Sequence, residues 1–131
     1  MIPQVHGCIL QNPMGQYLVV QGRASGKWSF PKGHPLPEET SINCAQRELL
    51  EETGIRAPFM YSKILYLATG IYYLYTIRSE PCSIIQDVSE IVRIGWHTSN
   101  ELEQMSVNVD VNTFLRKNKK DYLKTWRRPG F

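Results

Sequence analysis

Between Gly33 and Ile55, the side chains of Glu39, Arg47, Glu48, Glu51 and Glu52 stand at fixed intervals beside aliphatic positions. The residues from about Glu39 to Thr53 read as a helix, because Ile42, Ala45 and Leu49 recur at i, i+3 and i+7 and make one apolar stripe. Gly54 stands where such a helix ends, since glycine takes the left-handed conformation after the last turn without steric cost. Glu48, Glu51 and Glu52 fall at i, i+3 and i+4, so their carboxylates project from one side. Like charges that close weaken an isolated helix. A bound cation reverses the sign of that effect, and Mg²⁺ in particular is shared between a few carboxylates and substrate phosphates. A solvated acidic face is the ordinary reading of Glu51 and Glu52 alone. The register of Gly33, Glu39, Arg47 and Gly54 with them favours a metal site. Arg47 reads either as a charge-assisted clamp that orients a glutamate or as a surface ion pair. In neither case is it a proton-transfer group, because guanidinium stays charged. Glu39 is expected to support the loop and the cluster rather than to touch a metal first.

Written G-x5-E-x7-R-E-U-x-E-E-x-G-U, with U aliphatic, this pattern resembles the signature of the Nudix hydrolases at every specified position. The resemblance implies the α/β class, as a Nudix α/β/α sandwich with a central mixed sheet. It implies hydrolysis of a pyrophosphate bond in a nucleoside diphosphate linked to another group. It also implies Mg²⁺ or Mn²⁺ as cofactor, held by Glu48, Glu51, Glu52 and Glu90, with the backbone carbonyl of Gly33 completing the shell. Water activation needs a carboxylate within hydrogen-bond reach. Glu48, inside the motif, and Glu90, outside it, both qualify, and the sequence does not separate them. Lys32, directly before Gly33, is placed to lay positive charge on the phosphates. With Arg47 it joins the two glutamates as the candidate catalytic set. All the glutamates of the box are present, which argues against a nucleotide-binding module without turnover.

The remaining sequence bounds the molecule. At 131 residues the chain reads as one domain, 1–131, with the box at 33–55 and a basic C-terminal helix at about 110–126. Val5–Gln11 and Gln16–Gln21 read as strands around an Asn12–Gly15 turn, and Trp28–Lys32 leads extended into the motif. Lys63–Ala68, Ile71–Ile77 and Glu90–His97 read as further strands. Thr98 with Glu101 predicts a capping box on a helix at about 100–105, and Asp110 is expected to cap the last helix. Cys8, Cys44 and Cys82 share no metal-ligand spacing and read as reduced apolar residues, which points to a cytoplasmic location. No run is long enough to span a membrane and the N-terminus lacks a signal-peptide layout.

The substrate is read from the flanks. Leu18–Gly22, Trp28-Ser29-Phe30-Pro31-Lys32-Gly33 and Glu90-Ile91-Val92-Arg93-Ile94-Gly95-Trp96 are similar to the catalytic domain of the mRNA-decapping Nudix enzymes over roughly residues 3–97. In that branch the glutamate at the position of Glu90 serves the metal or activates water. Ser29 departs from the glycine of its Trp-Gly-Phe-Pro-Lys-Gly segment. The helical regulatory domain of the eukaryotic enzymes is not expected ahead of the first strand. Residues 109–131 carry seven of the 15 lysines and arginines against Asp110 and Asp121, a net +5, which leaves −2 for the rest. Lys120 and Lys124 in that tail are expected to hold an RNA body. Trp28 is the candidate for base contact, ahead of Tyr72, Tyr73, Tyr75 and Trp126, which read as core more often than as platform. The leading expectation is thus hydrolysis of the 5′ cap of mRNA or a related capped end. The alternative is a hydrolase of dinucleoside polyphosphates or other small nucleotides.

Overall fold

The computed structural model describes residues 2–81, 83–85 and 87–126, the last five by their backbone alone. In chain order come β1 (Val5–Gln11), β2 (Tyr17–Gly22), β3 (Trp28–Ser29), β4 (Lys32–Gly33), α1 (Ser41–Thr53), β5 (Lys63–Tyr66), β6 (Gly70–Thr76), β7 (Ile91–His97), α2 (Ser99–Glu103) and α3 (Val109–Trp126). The described strands form one sheet with a path β3-β2-β1-β6-β5, to which β4 is added at β1 and β7 at β2. β1 runs parallel to β6 and the other pairs are antiparallel, so the sheet is mixed, as expected.

One irregularity in this sheet places the motif. β1 and β2 pair at Gln11 and Tyr17, beside their turn, and then part. Into the opening comes the segment after β2: Gln21 faces Trp28 and Val20 faces Ser29, then Gly7 faces Lys32 and His6 faces Gly33. The Cys8 amide donates to the Pro31 carbonyl at 3.0 Å, which ties the crossing point down. Lys32 and Gly33 are thereby brought to the middle of the sheet.

Period-two alternation along the strands divides the core between two faces. Val5 and Ile9 of β1, Tyr17 and Val19 of β2, and Tyr72 of β6 pack with Phe30, Leu102, Val111 and Phe114, under α2 and α3. Cys8 and Leu10, Leu18, and Tyr73 and Tyr75 face the other way, onto Ala45 and Leu49 of α1. Tyr72, Tyr73 and Tyr75 are therefore core residues. The helix stripe expected from Ile42, Ala45 and Leu49 is the packed one, with Ile42 at its margin. α1 starts at Ser41 rather than Glu39, because Thr40 is its cap and accepts from the Asn43 amide at 3.3 Å. Gly54 closes it at φ 73° with its amide on the Leu50 carbonyl. The capping box of Thr98 and Glu101 is present on α2, which spans Ser99–Glu103.

Asp110 does not cap α3. Asn108 takes that role, accepting from the Val111 amide at 3.0 Å, and Asp110 lies in the first turn, fully buried. Its carboxylate accepts from the Thr69 amide at 2.8 Å, the Thr69 hydroxyl at 2.5 Å and the Tyr72 hydroxyl at 2.6 Å, pinning α3 to the β5–β6 turn. Burial and this carboxylate together push the Tyr72 phenol far above its ordinary range. No helix among the described residues is long and apolar enough to cross a membrane. Asp110→Ala leaves the buried Tyr72 hydroxyl and two part-buried Thr69 donors without their acceptor and is predicted to lower stability by about 3 kcal/mol, read from urea denaturation midpoints at unchanged m-value.

Candidate active site

A polar stripe on α1 faces β4 beside the apolar one. The Cys44 thiol is 3.5 Å from the Gly33 carbonyl, and the Glu48 carboxylate lies directly over Gly33, where a Cβ has no room. One turn further, Glu52 is 5% exposed and accepts a hydrogen bond from the backbone N–H of Lys32. Glu48 and Glu52 thus stand one helical turn apart on the same side of α1. Burial, and then the charge of Glu48, raise the Glu52 pKa to about 8, against the lowering pull of Lys32. Burial raises that of Glu48 as well, opposed by Arg47.

Arg47 is a clamp, which settles the choice left open above. Nε and Nη2 donate to the two oxygens of Glu39 at 2.8 and 2.9 Å in a fork geometry. Nη1 reaches Glu48 at 2.8 Å and Glu51 at 3.1 Å, and Nη2 also bonds the His34 carbonyl at 3.0 Å. Its partners push the guanidinium above its usual range, with Glu39 first. In return Arg47 holds Glu39 down at about 2. Glu39, which also accepts from the Leu36 amide at 3.0 Å, supports the loop as expected.

A cleft of about 900 Å³ opens over this stripe. Lys32, Gly33, Arg47, Glu48, Glu52 and Glu90 line it, so the chain brings together most of the residues singled out from the sequence. Glu90 is exposed on the turn before β7, and its carbonyl accepts from the Arg23 amide at 2.7 Å. Arg23 further donates its guanidinium to the Val88 carbonyl at 2.9 Å, so the loop after β2 holds the Glu90 turn. The cleft adds Arg23, Lys27, Ser25, Ser29 and Asn108, which sequence reasoning missed. They converge through strand pairing, which leaves no local signal. Cys44 did carry one, since it precedes Glu48 by one helical turn.

Three singled-out residues lie elsewhere. Glu51 is half-exposed on the rim, held by Arg47, and does not line the cleft. Trp28 belongs to β3 rather than a loop: its amide donates to Ser106, its carbonyl accepts from Asn108, and its ring meets His97 edge-on at 5.6 Å. It packs against the core and is outside the cleft lining. Lys120 is exposed on α3, twelve residues beyond Asn108 and so roughly 18 Å along the helix axis. The neighbouring Asn118 amide donates to Tyr17, at the end of β2 remote from the cleft. The side chains of Lys124 and Trp126 lie outside the described residues.

The family model for the NUDIX domain matches residues 1–117. The chain belongs to the Nudix family. It is 42% identical over 113 residues to phosphatase NudJ of Escherichia coli, covering 79% of this chain and 74% of NudJ. It is 30% identical over 119 residues to mRNA-decapping enzyme subunit 2 of Arabidopsis thaliana, covering 82% of this chain and 31% of that one. The chain thus spans about a third or less of the decapping relatives it matches. Among solved structures, a Caenorhabditis elegans Ap4A hydrolase superimposes with a TM-score of 0.74 at 18% identity, covering 92% of this chain and 99% of that one. A MutT protein from Methanosarcina mazei gives 0.70 at 18%, covering 93% and 98%. At those identities the likeness is one of Nudix fold.

Nudix hydrolases generally use divalent cations, and the donors here fit one. Among the described residues no three His, Cys, Asp or Glu side chains form a ready cage. Mg²⁺ and Mn²⁺ do not need one: a pair of carboxylates and a carbonyl suffice when water and substrate phosphates complete the shell. Glu48, Glu52 and the Gly33 carbonyl would make such a set, and a cation there would offset the burial that disfavours charge on both carboxylates. The sign of the pH effect follows. Folding raises the Glu52 pKa, so its contribution is intact at low pH and is lost as pH climbs through about 8. In chelator, urea midpoints are predicted to fall between about pH 5 and pH 8, and the Glu52→Gln variant to lose most of that slope.

Proposed function

We propose that this chain is a divalent-metal-dependent pyrophosphohydrolase acting on small nucleotides or related organic diphosphates. The supporting observation is the single cleft in which Lys32, Gly33, Glu48, Glu52 and Glu90 converge, with Arg23 and Lys27 as further cations. A volume of about 900 Å³ suits a small phosphorylated molecule. Glu48, Glu52 and the Gly33 carbonyl hold the cation, which when bound neutralises developing charge on the phosphoryl oxygens and acidifies a bound water. Arg47 aims Glu48 and favours its charged form against the effect of burial. Lys32 supplies positive charge to the phosphate chain. Glu90, across the cleft and with no cation bonded to it among the described residues, is the base that accepts the proton of water.

Capped RNA is the second reading, favoured by the likeness to decapping enzymes such as the protein named m7GpppN-mRNA hydrolase in Saccharomyces cerevisiae. Here it has less support than the flanking motifs suggested. Trp28 is packed beside His97 and the core, and Asn118, two residues before Lys120 on α3, meets Tyr17 at the end of β2 remote from the cleft. The greater identity, over most of the relative's length, is to phosphatase NudJ and not to a decapping enzyme.

Two measurements test these assignments. Glu90→Gln is predicted to lower kcat by about 100-fold while Mn²⁺ binding persists, whereas Glu52→Gln weakens Mn²⁺ binding itself. Equal metal affinity in the two variants contradicts the division of roles. A panel of nucleoside triphosphates, diadenosine tetraphosphate and cap-labelled RNA, assayed at two salt concentrations, tests the substrate. Turnover of small nucleotides with little salt dependence is predicted, and cap release with a steep slope reverses the order of the two readings.

A further inference from the structure

The loop from His34 to Thr40 directly follows the Gly33 carbonyl and carries the supporting glutamate Glu39, yet it lacks regular structure and is largely exposed. It also contains Glu38 at φ 64°, a left-handed conformation that costs a non-glycine residue about 1 kcal/mol. Such a loop keeps one shape only if its ends are fixed. Both ends meet at one residue. The backbone of His6 pairs with Gly33, where the loop begins. The His6 ring, with the residue only 9% exposed, places Nδ1 2.7 Å from the hydroxyl of Ser41, where the loop has ended and α1 starts. The Tyr73 hydroxyl donates to the same Ser41 oxygen at 2.8 Å, so Ser41 is held from β1 and from β6 at once.

Ser41, Cys44 and Glu48 follow one another on the face of α1 that lies over β1 and β4, touching His6, Gly33 and Gly33 again. Any sliding of the helix start moves Glu48 relative to the Gly33 carbonyl. We propose that His6 is a positioning residue for metal binding: by tying Gly33 and Ser41 to one rigid strand it sets the distance between the Gly33 carbonyl and the Glu48–Glu52 pair. Arg47 clamps the loop from inside, through Glu39 and His34, and His6 clamps it from beneath. The inference rests on the metal site assigned above.

The experiment is Mn²⁺ titration by calorimetry on wild-type protein, His6→Ala, His6→Asn and Tyr73→Phe, with amide hydrogen exchange of residues 34–40 recorded on each. Groups that orient metal ligands are commonly worth about tenfold or more in metal affinity. His6→Ala is therefore expected to raise the Mn²⁺ Kd about tenfold and to speed exchange in the loop. His6→Asn, which keeps a hydrogen-bonding group near Ser41, is expected to recover most of both. Tyr73→Phe deletes one hydroxyl without disturbing β1, and is expected to shift Kd in the same direction by a smaller factor. A lower melting temperature with Mn²⁺ affinity within about twofold of wild type in both His6→Ala and Tyr73→Phe overturns the inference and leaves the metal site standing. If wild-type protein takes up no Mn²⁺, the metal reading fails and this inference falls with it.

Discussion

Two carboxylates held side by side where water hardly reaches are the constraint around which this molecule is arranged. Burial disfavours charge on both Glu48 and Glu52, and the charge of Glu48 raises Glu52 further. The surroundings answer that cost in parts. Arg47 neutralises Glu48 from one side while spreading its donors over Glu39, Glu51 and the His34 carbonyl. The Lys32 backbone and ammonium answer Glu52 from the other. What remains is a site whose electrostatics improve when a divalent ion enters, and it opens into a cleft lined by cations suited to phosphate.

The sheet makes this arrangement reachable. A closed β1–β2 hairpin leaves no place for the glycine loop at the centre of the molecule. Because the hairpin parts after Gln11 and Tyr17, β3 and β4 enter between its arms and carry Lys32 and Gly33 beneath α1. The same crossing places Trp28 against His97 and the Ser106–Asn108 backbone, which keeps its ring from the cleft. On the proposed function, metal chemistry and substrate choice belong to different segments. The box and β4 carry the first; the loop after β2 and the Glu90 turn, linked by Arg23, frame the second.

Local signals were legible in the sequence, and non-local ones were not. The strand runs, the apolar stripe of α1, the Gly54 stop and the Thr98–Glu101 capping box each rest on residues within one or two turns of one another, and each stands in the structure. Asp110 misled because aspartate is both a good cap and a good acceptor for buried donors. Thr69 and Tyr72, some forty residues away, make the second use, and Asn108 takes the cap. In the site, helical spacing put Glu48, Glu51 and Glu52 on one side of α1 but could not rank Glu51, whose position on the rim follows from its bond to Arg47. Arg23, Lys27 and His6 were invisible for the same reason: strand pairing brings them to the site, and nothing near them in the chain announces it.

Anomalous diffraction from a crystal of the protein soaked in Mn²⁺ tests the central claim most directly. The account predicts a peak within bonding distance of Glu48, Glu52 and the Gly33 carbonyl, with the open side of the ion facing Lys32 and Glu90 across the cleft. A peak on the rim at Glu51 and Glu39, or none over the Glu48–Glu52 pair at millimolar Mn²⁺, contradicts it.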